Sequence, residues 1–213
     1  MSVYVEIVNV LFVFSTALLY PVIVALLLLF AWSLALLGSL ISEYSTRRRD
    51  PEELEDVCLR AAELTGSGKV DQIESVLGSY ASHARTSESL REVALSVRKG
   101  TFPFRFEKIL QDAELSMSKA VEPIRIGVRV GPILGLMGTL IPMGPALISL
   151  SQGDIEQMAN SLVIAFSTTV IGLAVGGICY ATYVIRTRWY RQDLSDLEYA
   201  VEIMRGEENE TAA

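Results

Sequence analysis

Charged and uncharged positions fall into long separate blocks along this chain. No charged residue occurs from Ile7 to Ser42, from Val130 to Gly153, or from Gln157 to Ile185. A helix needs about 20 mainly apolar residues, at about 1.5 Å of rise per residue, to cross a hydrocarbon core of about 30 Å. Each block is longer than that, so the pattern predicts three transmembrane helices.

The first block is longer than one crossing requires. As a single helix it would measure about 54 Å. We therefore expect residues from Val3 to about Phe14 to lie on the outer interface, and the crossing itself to run from about Thr16 to Ile41 with Pro21 near its start. A signal peptide is the competing interpretation, but the block is too long for one and no basic segment precedes it.

The stretch between the first two spans reads as several short amphipathic helices. Asp50-Pro51-Glu52-Glu53 is typical of a helix start, and Gly66-Ser67-Gly68 of a helix end. Further helices are predicted over about 70–83 and 87–99, and a fourth from about Phe104 toward the membrane. About 80 residues in such pieces indicate a small helical bundle, which is too little for an enzyme domain.

The distribution of basic residues predicts the orientation. Every Lys and Arg lies between Arg47 and Arg129 or between Arg186 and Arg205. The positive-inside rule therefore places these two regions in the cytoplasm and the N-terminus outside, in a multi-pass protein of the cytoplasmic (inner) membrane.

These patterns predict an all-α membrane protein with three transmembrane helices and a cytoplasmic helical insert between the first and second. The acidic end from Gly206 is expected to be disordered. The predicted segments are an outer N-terminal segment with the first transmembrane helix (1–42), a cytoplasmic helical domain (43–124), the second transmembrane helix (125–152), an outer loop (153–158), the third transmembrane helix (159–186), and a cytoplasmic C-terminal helix and tail (187–213).

The three spans differ in the size of their side chains. The first is mostly large and branched from Val22 to Leu37, as expected of a surface that faces lipid. The second and third read GPILGLMGTLIPMGPALISL from Gly131 and SLVIAFSTTVIGLAVGGICYATY from Ser161. Lipid offers helices no hydrophobic reason to associate, so small residues mark surfaces that face other helices. For most of these glycines, simple packing of a helical hairpin is sufficient explanation.

Hydroxyl groups near the middle of these two spans are candidates for an ion path. A threonine in a helix usually bonds back to its own chain, and that reading holds for Thr139, Thr168 or Thr169 taken singly. Together, on adjacent helices at similar depth, their oxygens can line a polar route. No ionisable residue lies inside any span, although ion and proton relays normally use one. If the protein conducts, a partner must supply that group.

The two hairpin segments resemble the MotA/TolQ/ExbB proton-channel family. That family's second span reads Pro-x-x-Gly-Leu-x-Gly-Thr, and its third reads Ala-Leu-x-x-Thr-x-x-Gly-Leu. The corresponding residues are Pro132, Gly135, Leu136, Gly138 and Thr139 in the second span, and Ala165, Thr169, Gly172 and Leu173 in the third. The ExbB and TolQ branches have a glutamate where this chain has Ile164, and Pro142 and Pro145 are additional to the pattern. The resemblance is therefore to a divergent member.

The resemblance implies a molecular motor driven by an ion gradient. Five copies would surround the transmembrane helices of two MotB/TolR/ExbD-like single-span subunits, and a partner aspartate would face the threonines and carry a proton or sodium ion. On this reading Thr139, Thr169 and Thr168 form the ion pathway. The residues for helix packing and partner contact are Pro132, Gly135, Gly138, Ala165, Gly172 and Gly176.

Two other classes of function compete with this one. The first is a non-conducting oligomeric membrane scaffold, whose hairpin serves only for assembly. The second, a transporter or membrane enzyme, is weaker because His83 is the only histidine and has no metal-ligand spacing around it. We therefore expect no catalytic residues, metal, cofactor or nucleic acid, and lipid and other protein subunits as the only partners.

Overall fold

The computed structural model describes residues 2–47, 51–66 and 102–211 continuously, together with 72–73, 75–76, 89, 91–93 and 95–96. Within these residues the regular structure is helical. The long helices are α1 (Ser2–Ala17), α2 (Leu19–Thr46), α3 (Pro51–Gly66), α4 (Phe102–Ser151) and α5 (Ile155–Thr211). Three stretches are long and apolar enough to cross a membrane, namely Asn9–Ser45, Glu107–Ser151 and Ile155–Ile203. The predicted all-α membrane architecture with three spanning segments is confirmed to this extent.

The first apolar block forms two helices that meet at Leu18, which lies in a turn. The Leu18 amide donates to the carbonyls of Phe14 and Ser15, and the Val22 amide donates back to Leu18. Pro21, in the first turn of α2, has no N–H to donate to α1. Nearer the N-terminus of α1, Phe12 lies beside Gly144 of α4, so α1 packs against α4. Its predicted position on the outer interface remains a prediction.

The chain divides into two compact units, which we call the apolar unit (1–41 and 122–184) and the charged unit (42–121 and 185–213). In the apolar unit, α4 and α5 form a hairpin through Gln152–Asp154. Gly153 adopts φ +77°, a conformation that favours glycine. The Asp154 carboxylate accepts a hydrogen bond of 2.9 Å from the Gln157 amide and so caps α5.

In the charged unit, α3 packs against parts of α4 and α5. Its core includes Cys58, Ile109 and Leu197. Burial raises the pKa of the Cys58 thiol to about 11, because the thiolate would lose its hydration. Arg186 pairs with Glu43 at 3.1 Å.

The expected insert is described only in part. The helix predicted from Pro51 ends at Gly66, where the sequence indicated an end. Most of the helices predicted over 70–83 and 87–99 lies outside the described residues, and the cytoplasmic position of the insert stays a prediction. The prediction of disorder from Gly206 was wrong as far as Thr211, because α5 continues through the glycine to that residue. A glycine lowers helix propensity by about 1 kcal/mol without ending a helix by itself.

Candidate ion-conducting face

Backbone meets backbone at the centre of the α4/α5 hairpin. A Cβ atom built on Gly172 would lie 2.7 Å from both the Gly131 oxygen and the Gly135 Cα, while one on Gly135 would lie 3.2 Å from the Gly172 Cα. Real Cβ atoms rarely approach another atom so closely. These positions therefore require glycine for the two helices to pack at this distance.

The close contact continues in both directions along the hairpin. A Cβ on Gly176 would lie 2.8 Å from the Pro132 ring, and one on Gly138 would lie 2.5 Å from the Thr168 hydroxyl. Ala165 is buried one turn before Thr168. All six residues singled out for helix packing and partner contact thus lie in or beside the α4/α5 contact; contact with a partner remains a prediction.

Each of the three candidate hydroxyls donates to its own helix. Thr139 Oγ1 bonds the Leu136 oxygen at 2.7 Å. Thr168 and Thr169 share the Ala165 oxygen, at 2.9 and 3.1 Å. These bonds engage the hydroxyl protons and leave acceptor lone pairs on the oxygens. The oxygens can still accept a hydrogen bond from a protonated carboxyl group or coordinate a cation.

Burial separates Thr168 from the other two threonines. Thr168 is buried against Gly138, whereas Thr139 and Thr169 are half-buried. At 100° per residue, Thr139 is rotated about 40° from Gly135, and Thr169 about 60° from Gly172 in the same sense. In an antiparallel helix pair, residues that are rotated in the same sense from the line where the helices touch lie on the same side of the pair. Thr139 and Thr169 therefore share one side of the hairpin.

Exposed apolar side chains surround these two threonines. Rotations of about 80–120° in the same sense bring further residues to that side. We call this surface the threonine face; its exposed members near the threonines include Leu136, Met143, Phe166 and Leu173.

Helix α2 packs on the opposite side. Its Trp32 ring meets Gly127, which is rotated from Gly135 by about 80° in the other sense. Ile124, Val175 and Cys179 form the buried centre of this contact. The threonine face is thus the hairpin surface that α2 leaves uncovered.

A proline adds a polar group near the threonines. Pro142 has no N–H with which to bond the Gly138 carbonyl four residues earlier. That carbonyl belongs to the residue next to Thr139 and opposite Thr168. Freed carbonyls at membrane depth are satisfied by neighbouring groups or by water. The Gly138 carbonyl thus lies at the hairpin contact where Gly138 packs on Thr168, and the uncharged blocks around it contain no carboxylate.

Residues 79–198 match the model of the MotA/TolQ/ExbB proton channel family. The chain belongs to this family. Neither the curated proteins nor the solved structures contain a match to it. Members of the MotA/TolQ/ExbB family are channel or transport proteins rather than enzymes, and the three apolar helices agree with a multi-pass membrane protein. The recognition made from the two hairpin motifs is confirmed.

Sequence reasoning did not single out one close contact of the hairpin. A Cβ on Gly127 would lie 2.8 Å from Cys179 Sγ and 2.9 Å from the Trp32 ring. Gly127 therefore brings all three apolar helices together. The signal was present in the sequence, because Gly127 extends the series Gly131, Gly135 and Gly138 by one more helical turn.

Within the described residues, no group of three or more His, Cys, Asp or Glu side chains is placed to hold a metal ion. The polar side chains at the middle of the threonine face are the hydroxyls of Thr139 and Thr169, whose oxygens accept hydrogen bonds. These oxygens can hydrate an ion, while the uncharged blocks around them contain no carboxylate that could carry one.

Proposed function

We propose that this chain is the channel-forming stator subunit of a proton- or sodium-driven membrane motor. Five copies surround the transmembrane helices of two MotB/TolR/ExbD-like single-span subunits, with their threonine faces toward them. The partner's aspartate takes up an ion on one side of the membrane and releases it on the other. The protein lies in the cytoplasmic (inner) membrane with its N-terminus outside and its C-terminus in the cytoplasm.

The threonine face is the observation that carries this proposal. It holds two hydroxyl oxygens in segments without a charged residue, and it lies on the side that α2 leaves open. Enclosed by five hairpins, such a face gives an ion oxygen ligands along the wall while a separate helix supplies the charge. A partner carboxylate that moves from one hairpin to the next can bind an ion at one and release it at another.

The three threonines have different parts in this proposal. Thr139 and Thr169 accept a hydrogen bond from the protonated carboxyl group, or coordinate the ion directly, through the lone pairs that their helix bonds leave free. Thr168 stands behind them and shares the Ala165 carbonyl with Thr169. Because it is buried against Gly138, its part is to pack the hairpin behind the other two hydroxyls.

Valine substitutions test the path. Thr139→Val and Thr169→Val keep the branched shape and remove the oxygen. We expect ion flux, measured in liposomes that contain the chain and its partner, to fall by about tenfold or more for each, as for loss of one well-placed polar group worth about 1.5–3 kcal/mol. The oligomer size in detergent should stay unchanged.

Thr182→Val is the matched control. Thr182 is a fully buried threonine of α5 whose hydroxyl bonds the Ile178 carbonyl at 2.9 Å. Its loss should leave the flux of correctly assembled protein near that of the wild type. Equal flux in the wild type, Thr139→Val and Thr169→Val would refute the ion path. An assembled complex without any ion-dependent flux would instead favour the non-conducting scaffold.

A further inference from the structure

Two arginines lie on the threonine face. Arg125 and Arg129 are exposed and are rotated from Gly135 by about 80° and 120°, in the same sense as Thr139. Leu136 and Met143 of the same face have similar rotations. The face therefore passes from apolar and hydroxyl groups to two positive charges along a single stripe of α4.

These arginines lie level with uncharged segments of the neighbouring helices α2 and α5. Gly127, between the two arginines, meets Trp32 of α2 and Cys179 of α5. From Trp32, α2 continues without charge for nine more residues to Ile41, which is about 13 Å of helix. From Cys179, α5 continues without charge to the end of the apolar unit at Val184.

Lipid is an unfavourable environment for this end of the face. Arginine within the apolar depth of a membrane is costly unless it faces water, a cavity or an opposite charge. Since α2 covers the other side of the hairpin, the arginines point toward whatever covers the threonine face. That occupant must accept an excess of positive charge.

A nearby acid offsets only part of this charge. Glu122 is exposed on the same stripe, about one turn farther from the threonines than Arg125. Counting Glu122, Arg125 and Arg129, each copy contributes a net charge of about +1 at this end. Several copies around one centre would repeat that charge.

We propose that the arginine end of the threonine face binds acidic side chains at the inner end of the enclosed single-span helix. This inference rests on the proposed function and specifies the chemistry of its partner. The positive-inside rule would normally place Lys or Arg at that end of a membrane helix. Here such residues face like charge, so the partner's inner flank carries Asp or Glu instead.

Two synthetic membrane helices test the proposal. Both have the same apolar span with one central Asp, and they differ only in the inner flank, Glu-Asp-Glu in one and Lys-Arg-Lys in the other. Binding is measured to the full chain in nanodiscs of zwitterionic lipid. We expect the acidic helix to bind about tenfold more tightly at low salt and the preference to shrink as salt rises, as for charge pairs that water reaches.

The variant R125E/R129E should reverse the preference, while R60E should leave it unchanged. Arg60 is an exposed arginine of the charged unit. Equal binding of the two helices, binding of neither, or an unaltered preference in R125E/R129E overturns the proposal. Binding of phosphatidylglycerol, added to the same nanodiscs, is measured as well. If R125E/R129E loses phosphatidylglycerol binding but keeps the peptide preference, the arginines form a lipid site and the proposal is overturned.

The proposed function can stand or fall separately. If Thr139→Val abolishes flux but R125E/R129E leaves the peptide preference unchanged, the channel remains and only the acidic flank is refuted. If the acidic helix binds as expected but the threonine variants keep full flux, the ion path is refuted and the charge recognition remains.

Discussion

The contact between Gly172 and Gly135 makes a quantitative prediction about the hairpin. In Gly172→Ala, the new methyl group would lie 2.7 Å from the Gly131 oxygen and the Gly135 Cα, and ordinary contact begins at 3.4 Å. Both atoms belong to the backbone, so no side chain can turn aside. The helices must separate locally by about 0.7 Å, a gap that forfeits about a quarter to a half of the dispersion energy of the separated atoms.

Overpacking of this kind typically costs about 1–3 kcal/mol. Alanine also favours the helix over glycine by up to about 1 kcal/mol, which would hide part of the effect. Gly177→Ala cancels this contribution, because Gly177 lies in the same helix and a Cβ there would meet nothing within 4 Å. We therefore expect Gly172→Ala to be less stable than Gly177→Ala by about 1–3 kcal/mol.

The assay is reversible unfolding of the monomer in mixed micelles with increasing SDS, followed by circular dichroism. Gly177→Ala should match or slightly exceed the wild type, and Gly172→Ala should unfold at lower SDS. If both variants unfold together, the helices are not in backbone contact at Gly172, and the glycines there serve some purpose other than close packing.

Two further predictions concern the charged unit. At pH 8, a pKa of about 11 instead of 9.0 leaves about 100-fold less Cys58 thiolate, so iodoacetamide should react correspondingly slowly; reaction at the rate of a free thiol would refute this. Because folding raises the Cys58 pKa, the contribution of the neutral thiol to the free energy of unfolding is present below pH 9 and is lost as the pH rises toward 11. In Cys58→Ala, the free energy of unfolding should therefore fall less between pH 9 and pH 11. Arg47→Gln, which breaks the part-buried pair with Asp193, should cost about 2–3 kcal/mol, whereas the exposed Arg60→Gln should cost under about 1 kcal/mol; equal unfolding free energies would contradict it.

The spans and the hairpin were predictable from the sequence because they depend on properties that are local. Charge-free length identifies a membrane segment, and glycines at helical spacing identify the packed side of a helix. Gly135 and Gly172 were recognised in this way. Their mutual contact is what the spacing of small residues on two antiparallel helices requires.

The difference between Thr168 and Thr169 was not predictable with the same ease. Adjacent residues on a helix differ by 100°, so one of them must turn away from any given surface. Only the position of Gly138 across the hairpin shows that Thr168 is the one that packs inside. The depth of Arg125 and Arg129 was not predictable either, because it depends on where α2 packs beside Gly127, which is a tertiary contact.

Glycine-to-backbone packing has a consequence for how the hairpin can move. Interfaces built from long side chains can slip by exchanging rotamers, but Gly131, Gly135 and Gly172 have no rotamers to exchange. Sliding one helix of the hairpin past the other would open a gap that no side chain at these glycines can fill. The two helices of the hairpin are therefore expected to move together as one rigid body.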